Sequence, residues 1–406
     1  MEKMYAQPAN QQRRYDLDWL RVLAIFIVFI YHGSLIFAPD AYQIKNATIY
    51  TYLDDWEAFG GLWGMPLIFI ISGASVFYAL GKLNPGRYLK GLVARLLVPL
   101  VLGIFTHSAF QVYLERLHTG TFHGSFFEFY PHYFVGMYGF GGNFAWMGMH
   151  LWYLEALFLF SILCLPLYLW LRKRTDGQHI LQGLGNLLGK PGAVYLLALP
   201  TIVLYNLFDP DGLGTMVLGG WSIFNYLAFF IAGFVIISSE RMQASIKHLR
   251  WVSLVIGVIT WGSIFAVWSA LGNPTFGTWQ YTLGTSLWCL CAWCWLLTIF
   301  GFGFRHLSRN KPTLHYANEA VLPFYILHQP VILCVAFFVV HWPIPDMLKF
   351  LIIISISFAM VMAIYEVFVR RTNALRFLFG MKLRIKPEIY SAKETQVHTL
   401  SPIGRE

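Results

Sequence analysis

The chain has 406 residues, of which 57% are hydrophobic and only 12% charged, and its formal net charge is +9. Ordinary soluble domains carry about 25% charged residues. So little charge cannot cover a water-facing surface, so the composition excludes a soluble protein and indicates an all-α polytopic membrane bundle. Aromatic residues reach 18%, with 15 Trp, which suits belts at two membrane interfaces.

Apolar runs read against the roughly 20-residue bilayer requirement give about ten spans. They cover residues 19–38, 59–80, 93–113, 146–171, 193–208, 221–238, 251–271, 281–303, 316–340 and 347–369. The fifth is short. The ninth contains Pro323 and Pro330 and is expected to be kinked or broken. The first is too long for the core of a signal peptide and has no clear cleavage site behind it, so it is read as retained. No internal repeat is visible. The expected organisation is a cytoplasmic tail 1–18, a membrane domain 19–369 and a basic cytoplasmic tail 370–406.

Lys and Arg fix the orientation. With the N-terminus inside, 25 of the 29 basic residues fall on the cytoplasmic side. Three fall outside (Lys45, Arg116 and Lys349), and Arg21 lies within a span. Both termini are therefore expected in the cytoplasm, and the basic excess is explained without nucleic acid.

Arg21 and His32 stand out within the first span. Eleven helical steps of about 100° bring them back to one face, roughly 16 Å apart along the axis. Asp18, one turn before Arg21, extends the stripe. Ionisable residues inside a membrane mark function by default. His150 and Glu155 flank Trp152 in the fourth span, and His328 lies in the ninth. Three intramembrane histidines with Glu155 and Arg21 point to a catalytic or transport cavity. Glu366, beside Arg370 and Arg371, reads as structural.

The outer loop, roughly 114–145, holds His118, His123 and His132 among aromatics such as Phe126, Phe127, Phe129 and Tyr130. It reads first as an interfacial segment, then as a sugar-binding surface or a metal site. Cys164, Cys289, Cys291, Cys294 and Cys334 all lie in apolar runs without convergent ligands and read as packing residues, so no metal is expected.

Several motifs resemble one family in order along residues 16–380. They are Asp18-Trp19-Leu20-Arg21 followed by His32, Met65-Pro66-Leu67-Ile68-Phe69-Ile70-Ile71-Ser72-Gly73, Arg95-Leu96-Leu97-Val98-Pro99, His150-Leu151-Trp152-Tyr153-Leu154, and Tyr325-Ile326-Leu327-His328. The set is similar to the acyltransferase-3 family of membrane acyltransferases. The ending, from Tyr365-Glu366 to Phe379-Gly380, most resembles its glucan-succinylating branch. One departure is that Leu92 stands where the family often has the first Arg of an Arg-x-x-Arg pair. Arg87 and Lys90 are candidate substitutes.

The resemblance implies transfer of an acyl group, acetyl or succinyl, from cytoplasmic acyl-CoA to a hydroxyl of an extracytoplasmic carbohydrate or glycan. It implies a bacterial inner-membrane enzyme surrounded by lipid, with no permanently bound cofactor. Arg87, Lys90 and Arg95 at the inner rim suit the donor's phosphates. His32 acts either as general base or as a nucleophile that relays the acyl group. Asp18 would orient Arg21, while His150, Glu155 or His328 would position the acceptor or relay a proton. The alternative class is a secondary transporter or flippase, which also carries buried charge near the membrane midplane.

Overall fold

The computed structural model describes residues 13–208, 220–272 and 274–384. Among the described residues there is no strand, only an isolated bridge between Met137 and Phe144. The helices are, in order, α1 (Tyr15–Ser34), α2 (Leu53–Lys82), α3 (Pro85–His118), α4 (Phe126–Tyr133), α5 (Met149–Leu163), α6 (Leu165–Lys173), α7 (Thr175–Leu188), α8 (Ala193–Leu207), α9 (Ile223–Ile237), α10 (Glu240–Leu271), α11 (Trp279–His306), α12 (Pro312–Val339), α13 (Asp346–Val369) and α14 (Asn373–Leu378).

Seven of these (α1, α2, α3, α10, α11, α12 and α13) are long and apolar enough to cross a membrane. The pair α5–α6, bent by 45°, makes an eighth if it is one span. The bend has a local cause. Pro166 has no N–H to give the Ile162 carbonyl one turn back. The fifth and sixth expected spans are α8 and α9, apolar helices of 15 residues. At 1.5 Å per residue α9 is about 22 Å long, and α8, which opens with a 3₁₀ stretch Ala193–Leu197 of about 2.0 Å rise per residue, is about 25 Å; both fall short of a hydrocarbon core of about 30 Å.

The ninth span, expected to be kinked or broken, is not broken. α12 runs unbroken over 28 residues with Pro323 and Pro330 inside it. Pro330 frees the carbonyl of Ile326, and His150 takes that carbonyl from the neighbouring chain segment. The exposed backbone acceptor is satisfied, so the helix need not open.

The third span also starts earlier than hydropathy indicates. Asn84 caps α3 by accepting the Arg87 N–H at 2.8 Å, and Pro85 fills the first turn. Arg87 and Lys90 therefore stand on a helix rather than in a loop. α3 contains two π turns, Val93–Leu97 and Ile104–Ser108. The first precedes Pro99, whose ring excludes a regular bond to the Arg95 carbonyl. In the second, Tyr133 and Tyr130 of α4 donate to the carbonyls of Ile104 and Phe105 at 2.8 and 3.0 Å.

α2 and α9 pack with their backbones in close approach. A methyl on Gly73 would lie 1.8 Å from the Phe230 carbonyl oxygen, and one on Gly233 2.0 Å from that of Ile70. Small residues on both partners permit this approach, as membrane helix pairs commonly require.

Beyond α3, α4 is closed by a capping box between Ser125 and Glu128. The Ser125 N–H and hydroxyl hold the Glu128 carboxyl below its ordinary range. Phe129 and Tyr133 pack with Ala109, Val112 and Ala145 in a small separate core. His118 lies beside the Lys45 N–H and His341, while His132 lies against Phe122. Among the described residues no cluster of three or more His, Cys, Asp or Glu is arranged to hold a metal ion.

At the opposite end Arg376, 5% exposed, pairs with Glu319 at 2.8 Å. Gly380, at φ +67°, sits against the Arg95 carbonyl. A side chain there would meet that oxygen at 2.7 Å. The segment after α13 is thus tied to the π turn that carries Arg95.

Candidate active site

Three histidines from three elements meet in the bundle. α1 and α12 lie side by side, so Arg21 and His32 face Asn318 and His328 respectively. The His32 and His328 rings have centroids 5.0 Å apart, and His150 lies 5.2 Å from His328. His328 is fully enclosed and His150 is 6% exposed, whereas His32 keeps part of its surface accessible.

The hydrogen bonds assign the tautomers. His328 Nδ1 lies 2.6 Å from the Tyr325 carbonyl. A carbonyl only accepts, so this nitrogen carries the hydrogen, and in the neutral ring Nε2 is the acceptor. That Nε2 is 3.1 Å from His32 Nδ1, which must donate. The lone pair of neutral His32 is then on Nε2, the nitrogen not engaged by His328. His150 follows the same logic. Its Nε2 donates to the Ile326 carbonyl at 3.1 Å, and its Nδ1 faces the Gln111 amide at 3.4 Å.

Backbone geometry aims His150. It lies in a tight turn, Met149–Leu151, after Gly148. Met149 has φ +56°, and among the described residues no other non-glycine residue has positive φ. Such strain of order 1–3 kcal/mol persists where surrounding contacts impose it. Here the Tyr325 hydroxyl donates to the His150 carbonyl.

Toward the other end of α1, Arg21 donates to Ser75 Oγ at 2.7 Å. It lies 3.6 Å from Asp18 and 3.5 Å from Asn318. Asp18 also pairs with Arg13 at 2.7 Å. Arg95 is exposed, its side chain makes no hydrogen bond or ion pair, and its charged neighbour is Arg21. Arg95 and Arg21 are thus like-charged electrostatic neighbours. Arg87 and Lys90 are exposed on the first turns of α3 without side-chain partners. Neither makes a contact at Arg95.

The structure therefore joins His32, His150 and His328, and separately Asp18, Arg21 and Arg95. It does not join Glu155 to either group. Glu155 makes no hydrogen bond or ion pair, and its Oε2 is buried. Sequence reasoning missed His107, an electrostatic neighbour of His150, and Gln111, one turn further along α3. The available signal was two polar residues at i, i+4 spacing inside an apolar run. It also missed Ser75, Asn318 and the anchoring hydroxyl of Tyr325.

The acyltransferase-3 family model, described as an acyltransferase domain, matches residues 14–366. The chain belongs to the acyltransferase-3 family. This is an integral membrane acyltransferase, and the matched stretch includes both clusters. Similar proteins include the glucans biosynthesis protein C of Salmonella paratyphi B, of Salmonella enteritidis and of Salmonella choleraesuis. Each is 22% identical over 401 residues, covering 94% of this chain and 98% of the relative. No solved structure matches.

Proposed function

We propose that this acyltransferase moves an acetyl or succinyl group from cytoplasmic acyl-CoA to a hydroxyl of an extracytoplasmic glycan, with His32 as general base. The observation that carries the reading is the 3.1 Å contact of His32 Nδ1 with His328 Nε2, which, with His328 Nδ1 on the Tyr325 carbonyl, leaves His32 Nε2 as the lone-pair nitrogen and orients the ring from behind. This is the arrangement general-base chemistry needs, with the base held by a second group.

In the proposed step the acceptor oxygen attacks the thioester carbonyl while its proton passes to His32 Nε2. The tetrahedral adduct expels the CoA sulfur, breaking the C–S bond. The proton on His32 goes to the departing thiolate, which restores the neutral ring. His328 accepts from His32 Nδ1 throughout and stabilises the transient imidazolium. His150 braces His328 from the other side.

Donor phosphates are assigned to Arg87 and Lys90 on the exposed turns of α3. Arg95 and Arg21 take the donor further in. The axial interval of about 16 Å between Arg21 and His32 is what the donor's arm has to cover. Asp18 orients Arg21. Glu155, outside both clusters, has a secondary role in the acceptor path.

The Lys and Arg asymmetry supports both termini in the cytoplasm, and the Salmonella relatives support a bacterial inner membrane. It also supports about ten crossings, α8 and α9 included. Residues 19–369 form the catalytic membrane domain, with cytoplasmic segments 1–18 and 370–406. The relatives' name supports a glucan-type acceptor. The test is to supply membranes containing wild type or His32→Ala, matched for expression, with labelled acetyl-CoA or succinyl-CoA. Label in the extracted glycan and free CoA should appear only with His32. Label that survives in the mutant removes His32 from the base role. No label from either donor, with a competent acceptor present, favours transport.

A further inference from the structure

A second polar group lies on the outer side of His32. Glu57, in the first turns of α2, is 4% exposed, and its one hydrogen-bonding neighbour is another acid, the Asp40 carboxyl, so no N–H or cation satisfies its oxygens. A buried carboxylate without hydrogen-bond donors is costly. The nearest cation does not relieve it. Lys45 is an electrostatic neighbour of Glu57, but an ammonium has three donors. Those of Lys45 go to the carbonyls of Leu35, Ala38 and Asp40. The remaining charged neighbours, Asp40 and Asp54, are themselves acidic.

The surroundings are aromatic and hydroxylic. The Tyr42 ring stacks on His32, with centroids 6.4 Å apart and planes 23° apart, and its hydroxyl is buried without a hydrogen bond. Tyr31 is an electrostatic neighbour of both Glu57 and Tyr42. Helical register places these groups beside the base. Gly60 of α2 packs against the Tyr31 ring, and Glu57 lies one turn outward on that face. Gly64, one turn inward, is buried, yet a methyl added there would meet nothing within 4 Å. The face of α2 that carries Glu57 thus borders unfilled space.

Resting on the acyl-transfer reading above, we infer that Glu57, Tyr42 and Tyr31 form the subsite for the acceptor, and that it selects an uncharged polyhydroxylated ring. Adjacent hydroxyls donate to the two Glu57 oxygens and supply the missing partners. The Tyr42 ring gives the sugar an apolar platform against His32, and its hydroxyl adds a further bond. A third hydroxyl of the same ring is then turned toward His32 Nε2. The acidic cluster of Glu57, Asp40 and Asp54, with a proton shared between Glu57 and Asp40, keeps net negative charge and disfavours an acidic sugar.

The test uses purified full-length protein and two probes, a neutral gluco-oligosaccharide and a uronate-bearing one of equal length. Calorimetry gives Kd for wild type, Glu57→Gln and Tyr42→Phe. Wild type should prefer the neutral probe by about tenfold or more, the scale of one charge-assisted hydrogen bond. Glu57→Gln should weaken the neutral probe by about tenfold and narrow the preference. Tyr42→Phe, which removes one oxygen, should weaken it several-fold and gives an answer even if the Glu57 variant misfolds. In turnover, acceptor KM should rise by the same factors while donor KM stays. Neutral-probe binding that is unchanged in both variants, or undetectable in wild type, overturns the proposal. Glu57-dependent binding in a protein that consumes no acyl-CoA upholds the subsite and overturns the catalytic reading instead.

Discussion

His328→Leu is the sharpest perturbation of the proposed base. It keeps side-chain volume roughly constant and deletes the Nε2 acceptor 3.1 Å from His32 Nδ1. Two effects follow. The His32 tautomer is no longer fixed, and the imidazolium formed in the transition state loses a hydrogen bond. Bonds to charged groups are worth about 1.5–3 kcal/mol, and about 1.36 kcal/mol is a factor of ten in rate. The expected loss in kcat is therefore about 10- to 150-fold, with donor KM unchanged. His32→Ala should cost more, about 10²- to 10⁴-fold. His328→Gln is the control, because its amide oxygen can reach the position of Nε2 and still accept from His32. Steady-state transfer of labelled donor in matched membranes reads all three. The tautomer argument is refuted if His328→Leu turns over like wild type, or if His328→Gln is no better than His328→Leu.

Other expectations concern the scaffold and the donor end. Pro330→Ala returns an N–H that competes with His150 for the Ile326 carbonyl, so activity should fall several-fold while the circular dichroism spectrum stays helical. Arg95→Ala should raise donor KM by about 10- to 100-fold, the scale of lost charge-assisted contacts to phosphate. It should also flatten the salt dependence of that KM, with kcat little changed. Gly73→Val must separate α2 from α9, and overpacking of about 1–3 kcal/mol or more should lower the Tm of the solubilised protein measured by fluorescence. Met149→Gly relieves the positive φ and should raise that Tm. If it lowers the Tm instead, the turn before His150 is not strained.

Hydropathy made the helical class and most long spans legible, because a lipid-facing helix needs a long apolar run. The same reasoning exposed Arg21, His32, His150 and His328, since each interrupts such a run. Boundaries were harder. The second span read from residue 59 leaves Glu57 in a loop, where a carboxylate is unremarkable in sequence. In the structure α2 begins at Leu53, and Glu57 is enclosed. That α12 stays unbroken at Pro330 was not legible, because sequence shows the lost N–H but not the His150 ring that claims the freed Ile326 carbonyl. The approach of Arg95 to Arg21 is tertiary and has no local signature. α8 and α9 registered as spans from composition alone, which does not show how few turns they complete.

The short length of α9 links the site to the thickness of the surrounding bilayer. On the proposed crossing by α9, a helix of about 22 Å in a hydrocarbon layer of about 30 Å leaves a deficit near 8 Å, and each ångström of mismatch costs a fraction of a kcal/mol. The lipid must compress around this side of the protein, or the helix must be drawn along its axis. α9 is clasped to α2 through Gly73 and Gly233, and α2 carries Ser75, the partner of Arg21, and Glu57. Strain from a thick membrane would therefore pull on the helix that supports both ends of the reaction path. The acyl chain length of the host lipid becomes a control variable for turnover, acting through the backbone rather than through any lipid contact at the histidines.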